Sequence, residues 1–191
     1  MDRVCRGWLL IASLLVGTWV AVPTLASDGG LVRKQRFAGT AHVGDAQLSP
    51  VQFEFLCHPA PEGALGIDVV LTKGDEAGGF PLDRFEGPDG VGGTGDLAEW
   101  SIDTRGDGVR VRGAIHGWYG VDGDGFVFGR SQINRKPDAF GALVRAATMP
   151  EAKRLRLSVA SPDGGAPLQL ELPLDGKQAA IGETVAACIK R

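Results

Sequence analysis

The sequence predicts a mostly β or α+β fold: an antiparallel β-sandwich or barrel-like domain with two short helices, the last one at the C-terminus. Apolar residues alternate with polar ones over several short segments, which is the period of a half-buried strand. The 191 residues include 29 glycines and 11 prolines, many of which separate these segments. Two segments have helical spacing, and they do not alternate with strands as they would in a parallel βαβ fold.

The first 26 residues have the three parts of a secretory signal peptide. Arg3 and Arg6 give a positive start, and the segment 8–22 that follows has no charged residue. Thr24 and Ala26 then supply the small residues that a signal peptidase recognises. A membrane anchor is the alternative, but a spanning helix needs about 20 apolar residues and this segment is shorter. We therefore predict that residues 1–26 are cleaved.

Cleavage would leave a single β-rich domain over residues 27–191 that is exported to the periplasm or the cell exterior, with no membrane span. It would also remove Cys5, so that Cys57 and Cys188 are the two remaining cysteines. Two cysteines in an oxidising compartment predict one disulfide. A metal pair or a catalytic thiol is the alternative, but no further Cys or His stands at ligand spacing from Cys57 and His58.

The strands follow from alternation and from turn residues. The pattern is clear over residues 51–57 and 65–71, which the turn 59–63 separates. Two further hairpins are predicted around the turns 104–108 and 161–165, because each contains glycine and aspartate between alternating segments. Other strands are expected near residues 37–43 and 126–128.

The two helices have recognisable starts. Asp138 precedes apolar residues at positions 140, 143, 144 and 147, and it is the predicted N-cap of the first helix. Asp175 and Gln178 resemble a capping box before apolar residues at positions 181, 185, 188 and 189. This places Cys188 on the inward face of a C-terminal helix, where it can reach Cys57 on an early strand.

Motifs for cofactors, metals and nucleic acid are absent from the sequence. A formal charge of −3 without a basic block argues against nucleic acid as a partner. There is no dinucleotide-binding or phosphate-binding glycine loop and no serine-hydrolase elbow. His42, His58 and His116 are isolated from one another, so no metal site is predicted. We expect no cofactor.

One segment has the composition of a ligand site. Aromatic residues stand on both sides of a glycine–aspartate turn, and their strands would present rings on one face beside polar groups. This mixture suits a sugar or another small polar ligand. The alternative is that the rings are buried and the aspartates only shape the turn. The candidate residues are His116, Trp118, Tyr119, Asp122 and Asp124, with Phe126 as a further ring.

Three classes of function remain open. An exported, non-enzymatic protein with a binding or envelope role is favoured, because the sequence has no nucleophile or cofactor motif. The second class is an interaction or inhibitor module for a secreted protein. The third is a hydrolase that acts on carbohydrate through carboxylates; its candidates are Asp83, Glu86, Asp122 and Asp124. The sequence therefore leaves two kinds of partner possible, a small polar ligand and a protein.

The last forty residues carry a resemblance. The segments RLRLSVASPDGG, LQLELPLDG and AAIGETVAAC resemble the ending of bacterial periplasmic β-sandwich proteins, including the invasion-associated locus B type. Those proteins also end in a hairpin, a strand exit with glycine and an alanine-rich helix. The resemblance covers about a fifth of the chain and implies the hairpin-plus-helix ending, but it implies no function.

Overall fold

A computed structural model describes residues 31–60, 62–71, 77–93, 95–120, 125–134 and 136–189. The predicted signal peptide, residues 1–26, lies outside the described residues. The described part contains ten strands and two α-helices: β1 (Arg33–Val43), β2 (Ala46–Gln47), β3 (Val51–Cys57), β4 (Ala64–Leu71), β5 (Ala98–Asp103), β6 (Val109–Gly113), β7 (His116–Tyr119), β8 (Phe126–Ile133), α1 (Ala139–Ala147), β9 (Arg154–Val159), β10 (Leu168–Pro173) and α2 (Gln178–Val185). Neither helix is long and apolar enough to cross a bilayer.

The strands form one curled, half-barrel sheet, which confirms the predicted antiparallel β architecture with two helices. The order is β6-β5-β9-β10-β1-β3-β4-β8-β7, and β2 pairs with β1 beside this path. Strand β1 belongs to both halves, since residues 33–39 pair with β3 and residues 40–43 pair with β10. We call β1, β3, β4, β8 and β7 the first half-sheet, and β1, β10, β9, β5 and β6 the second half-sheet.

Strand β1 changes partner at Gly39, where a side chain does not fit. A Cβ atom on Gly39 would lie 2.5 Å from the carbonyl oxygen of Glu171 and 2.7 Å from the ring of Phe53. Glycine within a strand is typical of a place where another backbone approaches closely. The absence of a side chain therefore lets the two half-sheets meet on one strand.

The two edges of the sheet come close to each other. Strands β6 and β7 lie at opposite ends of the strand order, yet only Ala114 and Ile115 connect them in the chain. Consecutive Cα atoms are 3.8 Å apart, so the end of β6 and the start of β7 are within about 11 Å. Ile115 is fully buried, and its N–H donates to the carbonyl of Gly92 at 2.9 Å.

Helix α1 begins as the sequence predicts. The Asp138 carboxylate accepts a hydrogen bond from the N–H of Phe140 at 2.7 Å, which is the geometry of an N-cap. The Phe140 ring packs edge-on against the buried indole of Trp100, with the ring centroids 5.9 Å apart. The cap and this aromatic contact hold α1 against the second half-sheet.

The predicted capping box of α2 is wrong. The helix begins at Gln178 after Lys177, which makes no side-chain capping bond. Gln178 instead donates through Nε2 to the carbonyl of Ala152 at 3.0 Å, and Asp175 forms an ion pair with Lys153 at 3.2 Å. Both side chains that a local cap would use therefore make tertiary contacts instead.

Beyond α2, Cys188 reaches the first half-sheet. The structure joins it to Cys57 of β3 in a disulfide, and the Cα atoms of the two residues lie 5.7 Å apart. Both residues are buried. This bond attaches the C-terminal end of the described chain to the end of β3, across a sequence separation of 131 residues.

Candidate functional site

Strand β7 divides the predicted ligand residues between two faces. His116 is exposed and Trp118 is 40% exposed, whereas Tyr119 is half-buried. Consecutive side chains of a strand point to opposite faces, so Trp118 and Tyr119 cannot form one surface. The prediction that Trp118, Tyr119 and Phe126 present their rings on one face is therefore wrong. Asp122 and Asp124 lie outside the described residues.

Tyr119 points inward, where it stabilises the local fold. Its ring packs edge-on against the fully buried ring of Phe126, with centroids 5.0 Å apart. Its hydroxyl donates to Oδ1 of Asp83 at 2.5 Å. Asp83 lies in a short 3-10 turn over Leu82–Phe85, and Glu86 follows that turn on the surface. The carboxylate of Asp83 thus fastens this turn to β7.

The outward-facing ring of Trp118 lies over a glycine of the neighbouring strand. A Cβ atom placed on Gly129 would be 2.6 Å from Cη2 of Trp118 and 2.6 Å from Oδ1 of Asp68. The edge of the indole and the carboxyl group are therefore no more than about 5 Å apart. Gly129 leaves the space in which the ring meets the carboxyl.

A row of polar residues crosses the first half-sheet at this point. Neighbouring strands place one residue each directly beside the next, in the order Arg36, Glu54, Asp68, Gly129 and His116. Glu54 is only 6% exposed and forms ion pairs with Arg36 and with Nζ of Lys34, the latter at 3.4 Å. Two carboxyl groups, one of them buried, therefore stand side by side, and that of Asp68 lies near the exposed indole.

This environment changes the acidity of Asp68. The pKa of its carboxyl is raised from 3.8 to about 6, mainly by burial and also by the neighbouring Glu54 carboxylate. Lys34 acts in the opposite direction and lowers the pKa. Asp68 consequently changes charge in weakly acidic solution, where it can act as a hydrogen-bond donor as well as an acceptor.

We call Trp118, His116, Asp68, Glu54 and Gly129 the Trp118 patch. Its exposed ring offers a flat apolar surface, and the adjacent carboxyl and imidazole offer hydrogen bonds. Rings of this kind stack on the apolar face of a ligand while polar groups fix its orientation. Across the described residues, no three His, Cys, Asp or Glu side chains converge as metal ligands.

The ring of Trp118 also has a structural use. An aromatic side chain that covers a glycine on a neighbouring strand protects backbone that would otherwise be open to water. That contact explains why the edge of the indole lies over Gly129. It leaves 40% of the side chain accessible, so covering the glycine and contacting a ligand are compatible.

Three members of the patch were not predicted from the sequence. Glu54 and Asp68 each stand at an outward position of an otherwise apolar strand. A charged residue at such a position is the sequence feature that could have identified them as candidates. The turn 59–63 separates β3 from β4, and a hairpin centred on position 61 pairs residue 54 with residue 68. Gly129 gave no local signal, because its importance depends on the register of β7 against β8.

Comparison with family models, with curated proteins and with solved structures finds no match to this chain. The similarity of the last forty residues to the periplasmic β-sandwich ending therefore stays a resemblance of local elements.

Proposed function

We propose that this chain is an exported, non-enzymatic binding protein that holds a saccharide on the Trp118 patch. The observation that carries the proposal is the 40% exposed indole of Trp118 beside the carboxyl of Asp68. The indole would stack on the apolar face of a sugar ring, while Asp68 and His116 bond to its hydroxyl groups. The stacked indole would supply contact area, and the hydrogen bonds would fix the orientation of the sugar.

Export is supported by two independent features. Residues 1–26 have the charge and hydropathy pattern of a signal peptide, and two cysteines that are distant in sequence form a disulfide. Structural disulfides persist mainly in oxidising compartments. The periplasm or the cell exterior is also where a protein that binds polysaccharide meets its ligand.

Binding is favoured over hydrolysis by the position of the carboxyl groups. A glycosidase places two carboxyl groups on either side of the scissile bond. Here Glu54 is buried beneath two cations, and Asp83 is held by Tyr119. The raised pKa of Asp68 is the one observation that favours a hydrolase, since a general acid needs its proton near neutral pH. Release of reducing sugar from a bound oligosaccharide would establish that alternative.

The test is calorimetric titration with neutral tetrasaccharides built from glucose, xylose and N-acetylglucosamine. At least one should bind, and Trp118→Ala should weaken that binding about tenfold or more, because the stacking surface is removed. Met149→Ala is the matched control, since Met149 is an exposed apolar residue of similar accessibility (42%) outside the patch. Equal affinity in Trp118→Ala and wild type, or no binding by any tetrasaccharide at millimolar concentration, would contradict the proposal.

Gly129→Ala provides a second variant that keeps the indole. The added methyl group would occupy the space of the Trp118 ring edge and the Asp68 oxygen, and both would have to move. We expect saccharide affinity to fall although the tryptophan is still present. Unchanged affinity would show that the arrangement of ring and carboxyl is not what the ligand recognises.

A further inference from the structure

A polar groove lies on the outer face of the second half-sheet, separate from the Trp118 patch. Its volume is about 400 Å³, which is within the range of small-ligand sites. Five strands contribute to it, and we call it the strand groove. Its lining consists of Thr40, His42, Glu99, Ser101, Arg110, Arg156, Leu157, Ser158, Gln169, Leu170 and Glu171.

The carboxylates in the middle of this face are neutralised by arginines. Arg156 contacts Asp103 at 2.9 Å and Glu171 at 3.3 Å. Arg154 contacts the other oxygen of Glu171 at 3.0 Å. The floor of the strand groove therefore presents little net charge to a ligand.

The rim at β6 differs in its ratio of charges: among the described ion pairs, Arg110 and Arg112 contact one carboxylate, whereas the two arginines in the middle of the face contact two. Arg112 contacts Glu99 at 2.6 Å, whereas Arg110 is 3.9 Å from the same carboxylate. Both guanidinium groups are largely exposed, with 76% and 72% of the side chains of Arg110 and Arg112 accessible. This excess of positive charge can receive an anionic group, and guanidinium matches both carboxylate and phosphate.

Neutral hydrogen-bonding groups lie beside this charge. Ser101, Ser158 and Gln169 face the strand groove, and among the described residues their side chains make no hydrogen bond. Ser158 and Gln169 stand directly beside each other on β9 and β10, whereas Ser101 on β5 stands beside Arg156, two residues along the strand. Hydroxyl and amide groups distributed over three strands are suited to a chain of sugar rings laid across the strands.

The strand groove continues into a second cavity of about 340 Å³. The two share Glu99 and Ser158, and the second is also lined by Asp96, Leu97 and Arg112. Arg112 thus lies beside the junction of the two cavities.

We propose that the strand groove binds a segment of an acidic glycan, independently of the Trp118 patch. A carboxylate or phosphate of the glycan would contact Arg110 and Arg112 at the β6 rim. Its hydroxyl groups would bond to Ser101, Ser158 and Gln169 across the strands.

The test compares three tetrasaccharides by calorimetry with Trp118→Ala, in which the proposed stacking surface for neutral saccharides is removed, and with the wild-type protein: a galacturonate tetramer, a phosphorylated maltotetraose and unmodified maltotetraose. The comparison of acidic with neutral probes is made in Trp118→Ala. At least one acidic probe should bind at least tenfold more tightly than the neutral one, and the stronger acidic probe identifies the anionic group. Arg110→Ala/Arg112→Ala should weaken acidic-probe binding about tenfold or more, because charge-assisted bonds are lost. Raising the salt concentration should weaken it as well.

Arg84→Ala is the matched control, since Arg84 is a half-exposed arginine that pairs with Asp163 away from the strand groove. This variant and Trp118→Ala should bind the acidic probes as wild type does. Equal binding of acidic and neutral probes, wild-type affinity in Arg110→Ala/Arg112→Ala, or no acidic binding at millimolar concentration would overturn the inference. Loss in Trp118→Ala alone would assign the acidic glycan to the Trp118 patch instead.

Discussion

The outer faces of the two half-sheets use the same residue types in different electrostatic settings. On the first half-sheet, Glu54 is nearly inaccessible and stands directly beside Asp68. On the second, the side chains of Glu99 and Glu171 are 28% and 33% exposed, and each contacts two arginines. Paired charges in water contribute little, whereas burial and the neighbouring Glu54 carboxylate raise the pKa of Asp68. Burial, rather than the number of charged residues, distinguishes the two faces.

The largest expected effect concerns the disulfide, which fastens the chain after α2 to the first half-sheet. Replacing both Cys57 and Cys188 by serine should lower the free energy of unfolding by roughly 4–5 kcal/mol. In the chain-entropy model, a bond between residues 131 positions apart strongly restricts the unfolded chain. Urea denaturation of the oxidised protein and the double variant measures this difference. Equal stability of the two proteins, or two alkylatable thiols in the native folded protein, would contradict a stabilising disulfide between these residues.

The connection between the two half-sheets is tested at Gly39. Gly39→Ala places a methyl group 2.5 Å from the carbonyl oxygen of Glu171, and we expect it to destabilise the fold by about 1–3 kcal/mol. Gly106→Ala is the control, because a Cβ atom there meets no atom within 4 Å. Its effect should be within about 0.5 kcal/mol. Similar denaturation midpoints for both variants would mean that β1 has room for a side chain where it changes partner.

A smaller effect is expected for the half-buried carboxyl of Asp68 on the first half-sheet. With its pKa raised to about 6, Asp68 holds its proton more tightly in the folded protein than in the unfolded chain. Its contribution to stability is therefore complete below about pH 4 and is lost as the pH rises through about 6. Asp68→Asn cannot ionise, so it should be more stable than wild type at pH 7.5, by up to about 1 kcal/mol after allowance for solvent screening.

That advantage should disappear near pH 4, and thermal unfolding across this pH range measures it. Glu54→Gln sharpens the test, because removal of the neighbouring negative charge should lower the pKa of Asp68, as followed by NMR titration of its carboxyl carbon. A pH-independent stability difference for Asp68→Asn would show that Asp68 titrates alike in the folded and unfolded states.

Local sequence patterns predicted the elements of this fold better than the arrangement of its surface. Alternation and turn residues gave the hairpins, and the Asp138 cap gave the start of α1. The capping box at Asp175 and Gln178 failed because contacts with Lys153 and Ala152 outcompeted it. Such contacts depend on residues that are distant in the sequence.

The candidate site shows the same limit. Trp118 and His116 were predicted from their composition alone, but Tyr119 lies on the opposite face of β7. Asp68 joins the patch only because the registers of β3, β4, β8 and β7 place it in the same row as His116. A shift of one residue in the β4–β8 or the β8–β7 pairing would place Asp68 and His116 on opposite faces. Register is set by the whole sheet, so a local reading of the sequence does not give it.

The most direct test of the central claim is quenching of tryptophan fluorescence by acrylamide, with and without a bound neutral saccharide. Residues 27–191, expressed without the predicted signal peptide, include two tryptophans, of which Trp100 is fully buried and Trp118 is 40% exposed. Quenching therefore reports mainly on Trp118. A saturating saccharide should shield the Trp118 ring and lower the quenching constant, and Trp118→Phe should abolish this change. A saccharide that binds by calorimetry but leaves the quenching of Trp118 unaltered would place the binding site elsewhere and contradict the claim.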